Sequence, residues 1–430
     1  MALKQTGAAG QGIGVAIVDS GIASHPDVKN VVFSKDFTAS PAKGDPYGHG
    51  THVAGLIGGS GPSAGIAPQA RLVDLRVLDQ TGSGRTSDVI AAIEWAVANK
   101  NAIGSDGRSL NIRVINLSLG HPALESAATD PLAVACRKAV KAGVVVVASA
   151  GNRGQSADGR TVYGGITTPG IESSVITVGA ISTFGTPSRS DDRVASYSSR
   201  GPTIDGIFKP DITAPGSRMI SALAKDDYLV TAHPDLAVDK MHMKLSGTSM
   251  AAAVISGAAA MILSKVPALT PNAVKAILMF TAEKRGGDLD WGAGYVNIAG
   301  AMDLVISVNP SAPVNTYWLK PGTTLPYSEV INGYAATWGQ TIVWGDSSFT
   351  GNSVYYNKYA WSQTIVWGET IVWGETICWG ETIIPDSNVL TETSNLSATT
   401  IVWDETIVWD ETIVWDETIV WDDAIVWDAM

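Results

Sequence analysis

Four short runs dominated by aliphatic residues, Gly14 to Val18, Leu72 to Val77, Val114 to Leu117 and Val144 to Ala148, recur in the first 150 residues of this 430-residue chain. A strand that is apolar along both faces has to be covered on both, and a parallel sheet held between two helical layers does this. Helices with legible ends fill the intervals. Thr86 or Ser87 opens one that runs to about Asn99, Asp130-Pro131 opens another that Gly143 closes, and Thr270-Pro271 starts a later one through about Thr281. Strand, helix and strand in repetition predict an α/β fold with a doubly wound, mainly parallel sheet and helices on both faces. In such a sheet the functional residues gather at the carboxyl ends of the strands.

With 45% apolar residues and 45 glycines, the chain has the material for one large core and for tight turns around it. Its charge is unevenly distributed. From Ser307 onward 16 Asp and Glu face only Lys320 and Lys358, a balance of −14; the whole chain carries −12, so residues 1–306 carry +2. A near-neutral body with an acidic tail gives no reason to expect nucleic acid as a partner. No stretch reaches the ~20 apolar residues of a membrane span, and the small-residue run Ala251 to Leu263 is broken by Ser256 and Gly257. The two cysteines, Cys136 and Cys378, read as unpaired thiols, and a disulfide between them has no support in the sequence.

Three short strings carry the chemistry: Val18-Asp19-Ser20-Gly21, Gly48-His49-Gly50-Thr51-His52-Val53-Ala54-Gly55 and Gly247-Thr248-Ser249-Met250-Ala251. Taken singly, each has a plainer reading. An Asp after a strand forms turns, a His between glycines belongs to a loop, and a Ser at a helix start is an N-cap. Together they supply an acid, a base and a nucleophile. A serine hydroxyl attacks only when an imidazole takes its proton, and the imidazole needs a carboxylate on its other nitrogen. Asp19 ends the first apolar run, His49 opens a helical segment, and Ser249 begins a small-residue helix through about Lys265 whose free N–H groups face whatever binds there. His52, one turn beyond His49, reads as a buried structural histidine rather than a second base.

The order Asp, His, Ser and the flanks of each string resemble the subtilisin-like serine proteases, from about Gly12 to about Ser307. Tyr197-Ser198-Ser199-Arg200-Gly201-Pro202, Ala214-Pro215-Gly216 and Gly292-Ala293-Gly294-Tyr295 agree with that family. The resemblance implies a serine endopeptidase with Asp19, His49 and Ser249 as its triad. It also points to Asn152, whose plainer reading is a turn former after Gly151, as the side-chain donor to the oxyanion. Gly82, Ser83 and Gly84 match one edge of the family's substrate groove and Ser118, Leu119 and Gly120 the other, where an extended peptide pairs as an added strand. The S1 pocket is then expected between Ser118 to Gly120 and Ala150-Gly151, with Gly170 at its floor. No charged residue stands in that set, which predicts broad preference for uncharged, medium-to-large P1 side chains. Asp45 matches an acidic position on the S2 wall, or forms a turn before Pro46.

One departure stands out. Members of the family follow the nucleophile string with Pro-His where this chain has Ala253-Val254, so a backbone N–H returns to the helix. The resemblance implies no cofactor for the chemistry and leaves a structural calcium open, for which the sequence offers no ligand set. It further implies protein or peptide substrates, export from the cell, and a signal and pro-segment that are not present in this chain.

The domain reading is therefore a peptidase domain over 1–306, a Pro-containing linker over 307–336 and an acidic Trp-rich tail over 337–430. The tail repeats Thr-Ile-Val-Trp followed by Gly-Glu and later Asp-Glu, with tryptophans at 367, 373 and 379 and again at 403, 409, 415, 421 and 427. An even period suits strands. The array can run straight, or alternate four-residue strands with two-residue turns, or stay extended as a low-complexity tail. In the ordered arrangements both faces are partly apolar, so the tail is expected to self-associate or to bind a surface. A rival reading is a catalytically idle protease-like domain that carries a structural or adhesive Trp module. A chain cut after about residue 306 is expected to keep its activity on small peptides.

Overall fold

The computed structural model describes residues 8–331 apart from 62, 63 and 187, residues 333–350, and positions 358 and 361. Its centre is an eight-stranded sheet. Strand β1 (Gly14–Asp19) is buried along its whole length, with Val15 and Ile17 entering one apolar core and Ala16 and Val18 the other. That alternation is why the run is apolar throughout. β2 (Val31–Asp36), β3 (Arg71–Arg76), β4 (Ile112–Leu117), β5 (Val145–Ser149), β6 (Ile176–Ser182) and β7 (Ile212–Pro215) complete the parallel set in the order β7-β6-β5-β4-β1-β3-β2. Arg193–Val194 adds a short antiparallel pair on β6.

The two helical layers follow from the same cores. α1 (His49–Gly58), α4 (Thr248–Lys265) and α5 (Pro271–Thr281) cover one face; α2 (Thr86–Ala98) and α3 (Pro131–Lys141) cover the other. Caps explain several starts. The Asp130 carboxylate accepts the Leu132 and Ala133 N–H groups at 2.9 Å each, with Pro131 in the first turn, and the Thr270 hydroxyl accepts Ala273 N–H at 3.2 Å. The expected Thr86 or Ser87 cap is not made. Arg85 holds the cap position of α2 without a side-chain bond. Among the described residues α4 alone is long and apolar enough to cross a membrane, but it lies in the core.

Sequence order puts the switch in winding direction at β1, which lies between β3 and β4, so the crevice opens at the carboxyl end of β1. The chain does not leave the body after α6 (Ile298–Val305). Trp318 is fully buried, β10 (Ser328–Ile331) and β11 (Tyr334–Thr337) form a hairpin inside the expected linker, and β12 (Thr341–Trp344) pairs with β13 (Ser347–Thr350). Earlier in the chain β8 (Met219–Ala222) pairs antiparallel with β9 (His242–Leu245). Trp318, Trp338, Trp344, Phe349 and Trp361 belong to the same core as α4 and α5. Packing therefore continues past residue 306, because these large rings cover surface that α5 and α6 would otherwise expose. The described repeat, Thr341–Trp344 with the turn residues Gly345 and Asp346, is a four-residue strand with a two-residue turn, Gly345 having φ +63°. The later repeats and Cys378 lie outside the described residues.

Candidate active site

Asp19 stands at the end of β1 and His49 begins α1. Asp19 Oδ1 accepts from His49 Nδ1 at 2.8 Å and from the Ser20 N–H at 2.8 Å. A carboxylate only accepts, so Nδ1 carries the proton and Nε2 is left as the free base. The two motifs are tied together behind this contact. Ser20 Oγ accepts the Gly50 N–H at 2.9 Å and donates to Asp45 Oδ1 at 2.8 Å. The approach is close enough that a Cβ on Gly50 would lie 2.2 Å from the Gly21 carbonyl oxygen. Burial works against the His49 cation, but the charge and hydrogen bond of Asp19, with the charge of Asp45 added, hold its pKa above the ordinary 6.5.

Asp45 is not a groove residue. It is buried, accepts the Gly48 and Thr51 N–H groups and the Thr51 hydroxyl at 2.8 Å each, and so pins the start of α1. His52 is also fully buried. Its Nε2 meets the Met219 carbonyl at 3.0 Å, and burial pushes its pKa down to about 3, so it stays neutral.

Ser249 lies in the first turn of α4, where its N–H has no acceptor within the helix. Asn152 follows β5. The Thr248 N–H lies 3.0 Å from the Asn152 side chain, and since that N–H can only donate, the facing atom is the amide oxygen. The Thr248 hydroxyl meets the same oxygen at 3.1 Å and accepts the Gly151 N–H at 3.1 Å. With its oxygen anchored, Asn152 has its NH2 free to donate beside Ser249. The Ser249 hydroxyl itself donates to the Ser118 carbonyl at 3.0 Å and is not bonded to His49. Behind it a buried chain runs from Ser256 through Asn116 to the Ser118 hydroxyl and the Ser249 carbonyl, with links of 2.8, 3.0 and 2.9 Å.

Two clefts meet along Ser118 to His121. One holds His49, Tyr47, Gly82, Ser83, Gly84 and Arg85; the other holds Ser249, Asn152, Gly151, Thr167 and Arg153. The expected groove edges thus face each other, and Leu119 and Gly120 are shared. Ala150 and Gly170 are buried behind this lining, and Thr167 takes the place expected of Gly170. The reason is local: a Cβ on Gly120 or Gly151 would meet the Thr167 side chain at 3.0 or 2.8 Å, so Thr167 fills the space between them. The expectation of an uncharged wall is also corrected, because Arg153 lines it. Sequence reasoning missed Thr248 and Thr167, although Thr248 stands inside the nucleophile string. Among the described residues no group of three or more His, Cys, Asp or Glu side chains is placed to hold a metal, so no calcium ligands are assigned.

The subtilase-family profile matches residues 10–296. This chain belongs to the subtilase family. Serine protease AprX of Bacillus subtilis (strain 168) is 40% identical over 299 residues, covering 67% of this subtilase and 65% of AprX. Subtilisin of Bacillus pumilus is 37% identical over 309 residues, 70% of this chain and 94% of its own. A solved cold adapted subtilisin-like serine proteinase is similar over 67% of this chain and 88% of its own, at 31% identity and a TM-score of 0.49.

Proposed function

We propose that this subtilase is a serine endopeptidase that cleaves peptide bonds through an acyl-enzyme. The observation that carries the reading is the 2.8 Å contact from Asp19 to His49 Nδ1, which leaves Nε2 basic in the same crevice as the open first turn of α4. For attack the Ser249 hydroxyl must leave the Ser118 carbonyl and bond to His49 Nε2. The oxygen then attacks the scissile carbon while its proton passes to Nε2. The Ser249 N–H and the Asn152 amide receive the developing oxyanion, and His49 returns the proton to the leaving amine. Water repeats the cycle on the ester. No cofactor enters these steps.

A medium-to-large P1 side chain fits between Gly120 and Gly151 above Thr167, and Arg153 at the mouth disfavours Lys or Arg. Substrates are peptides or unfolded segments of proteins laid between Gly82 to Gly84 and Ser118 to Gly120. Export from the cell belongs to the same reading and rests on the family resemblance. The tail, whose described repeat strand is buried on all four residues, needs cover for its further copies and is proposed to self-associate or bind a surface.

Labelling of the full chain with a serine-reactive phosphonate tests the reading. Stoichiometric modification of Ser249, lost in His49→Ala with the circular dichroism unchanged, is expected. A folded chain that takes no label would return the idle-domain reading.

A further inference from the structure

The chain carries a net charge of −12, yet the surface where a substrate would lie has the opposite sign. Around the two clefts stand Arg85 and Arg153, and no Asp or Glu side chain is among the lining residues. Both arginines are exposed, and neither guanidinium makes a hydrogen bond or ion pair with a described residue. Elsewhere the guanidinium groups of Arg71, Arg76, Arg137, Arg189, Arg200 and Arg285 are engaged by carboxylates of the chain itself. Arg113 and Arg193 bond backbone carbonyls instead, and exposed Arg218, like Arg85 and Arg153, makes no side-chain bond with a described residue; what sets Arg85 and Arg153 apart is that they line the clefts.

Position adds to sign. The backbone of Arg153 is fixed, since its N–H donates to Ser199 Oγ at 3.0 Å and the next residue, Gly154, donates to the Tyr197 carbonyl at 2.8 Å. Its side chain therefore springs from an anchored point on the wall shared with Ser249 and Asn152. Arg85 precedes α2 in the neighbouring cleft, beside Gly84, where an earlier residue of the peptide would lie. Thr167, at the base of the cleft that holds Ser249, donates its hydroxyl to the Ala150 carbonyl at 3.4 Å, and its side chain can fit against a methylene stem.

We propose that this cleft selects acidic peptides, with Arg153 receiving a P1 Glu carboxylate and Arg85 an acidic side chain nearer the peptide's N-terminus. The proposal rests on the endopeptidase reading and names its substrate class. An unpaired guanidinium presents a fork that fits a carboxylate, and it gains more from that partner than from an amide of the same shape. The comparison that isolates the charge is accordingly Glu against Gln, which differ in neither length nor branching.

The experiment uses the full chain and two peptide series that vary only at P1 or only at an earlier position. Wild type is expected to favour P1 Glu over P1 Gln in kcat/KM by roughly five- to ten-fold at low salt, the range of a partly exposed charge-assisted bond. Raising the ionic strength should shrink that ratio. Arg153→Gln should bring it to one or below, Arg85→Gln should remove the corresponding preference at the earlier position alone, and Arg108→Gln, an exposed arginine away from the clefts, should change neither ratio. A Glu-to-Gln ratio near one in wild type, or one that survives Arg153→Gln, overturns the proposal. If the Gln peptides are cleaved and Ser249 is labelled while the ratio is flat, the endopeptidase reading stands and the acidic selectivity alone falls.

Discussion

The Asn152 amide oxygen takes two bonds from Thr248, and the proposed mechanism makes Asn152 the donor to the oxyanion and Thr248 its clamp. Replacing the donor in Asn152→Ala should lower kcat by about 10²- to 10³-fold with little change in KM, a magnitude that comes from subtilisin and is carried over here. Thr248→Val keeps the backbone bond and removes the hydroxyl, and a loss of about ten-fold is expected, the scale of one hydrogen bond. Retention of more than a third of the wild-type rate by Asn152→Ala would remove it from the site. The acid limb follows from His49. Its pKa lies above 6.5 because Asp19 and Asp45 favour the cation, and catalysis needs the neutral ring, so kcat/KM should fall as pH drops through a value above 6.5. Asp19→Asn removes the main raising influence, so its residual activity, lower by about 10⁴-fold, should show an acid limb displaced to lower pH. A rate profile flat from pH 5 to 9 would show that His49 is not the base. Asp19, His49 and Ser249 stood out as candidates because each stands in a long motif, and the structure joins the first two by one hydrogen bond. Thr167 and Arg153 did not stand out, since their role depends on which loops stand side by side.

At the scale of elements, caps and apolar runs were the readable signals. β1, β4 and β5 were foreseen to within two residues at either end, and so were α3 and α5, whose caps are the expected Asp130 and Thr270. Asp130→Ala should cost about 1 to 2 kcal/mol, since two N–H groups of α3 lose their acceptor in a buried place. A urea midpoint lowered without a change in m would show it; an unchanged midpoint would mean that the cap contributes nothing. β2, β6 and β7 gave no comparable signal. β2 is a half-exposed edge strand with Ser34, Lys35 and Asp36, β6 carries Gly179 and Thr177, and β7 ends in Pro215. What makes them strands is the neighbour that each finds in the sheet.

The whole molecule is larger than its catalytic motifs suggest. Trp338 is buried against Phe280 of α5, with ring centroids 6.0 Å apart, and its Nε1 donates to Glu329 at 2.8 Å. Trp344 lies over Lys275, whose Nζ is 4.5 Å from the ring, and Lys275 in turn shares buried Asp211 with Lys209 at 3.0 and 2.7 Å. Burial pushes Lys275 down to about 7 in spite of Asp211. Removing a buried tryptophan costs about 3 to 5 kcal/mol, while a whole domain is stable by only about 5 to 15 kcal/mol. Trp338→Ala should therefore lower the stability by that amount, and a chain cut after residue 306 should lose its cooperative unfolding transition and its activity together. A chain cut after residue 361 should keep both. Full activity and stability in the shorter chain would restore the boundary expected from the linker composition.

Some properties of this protein are written locally and some are not. Which strands and helices alternate, where three helices begin and which side chains are the candidates for acid, base and nucleophile follow from short-range rules: periodicity, caps and the residues flanking each motif. Those rules act within a few positions along the chain, so a sequence displays them directly. Tertiary structure alone decided that Asp45 pins a helix instead of lining a groove, that Thr167 replaces Gly170 at the pocket base, that Arg153 beside Ser249 and Arg85 in the neighbouring cleft remain without a carboxylate, and that the tryptophans after residue 306 finish the core. Each of these depends on residues distant in sequence meeting in space, where burial sets the charge state and shape complementarity sets the neighbour.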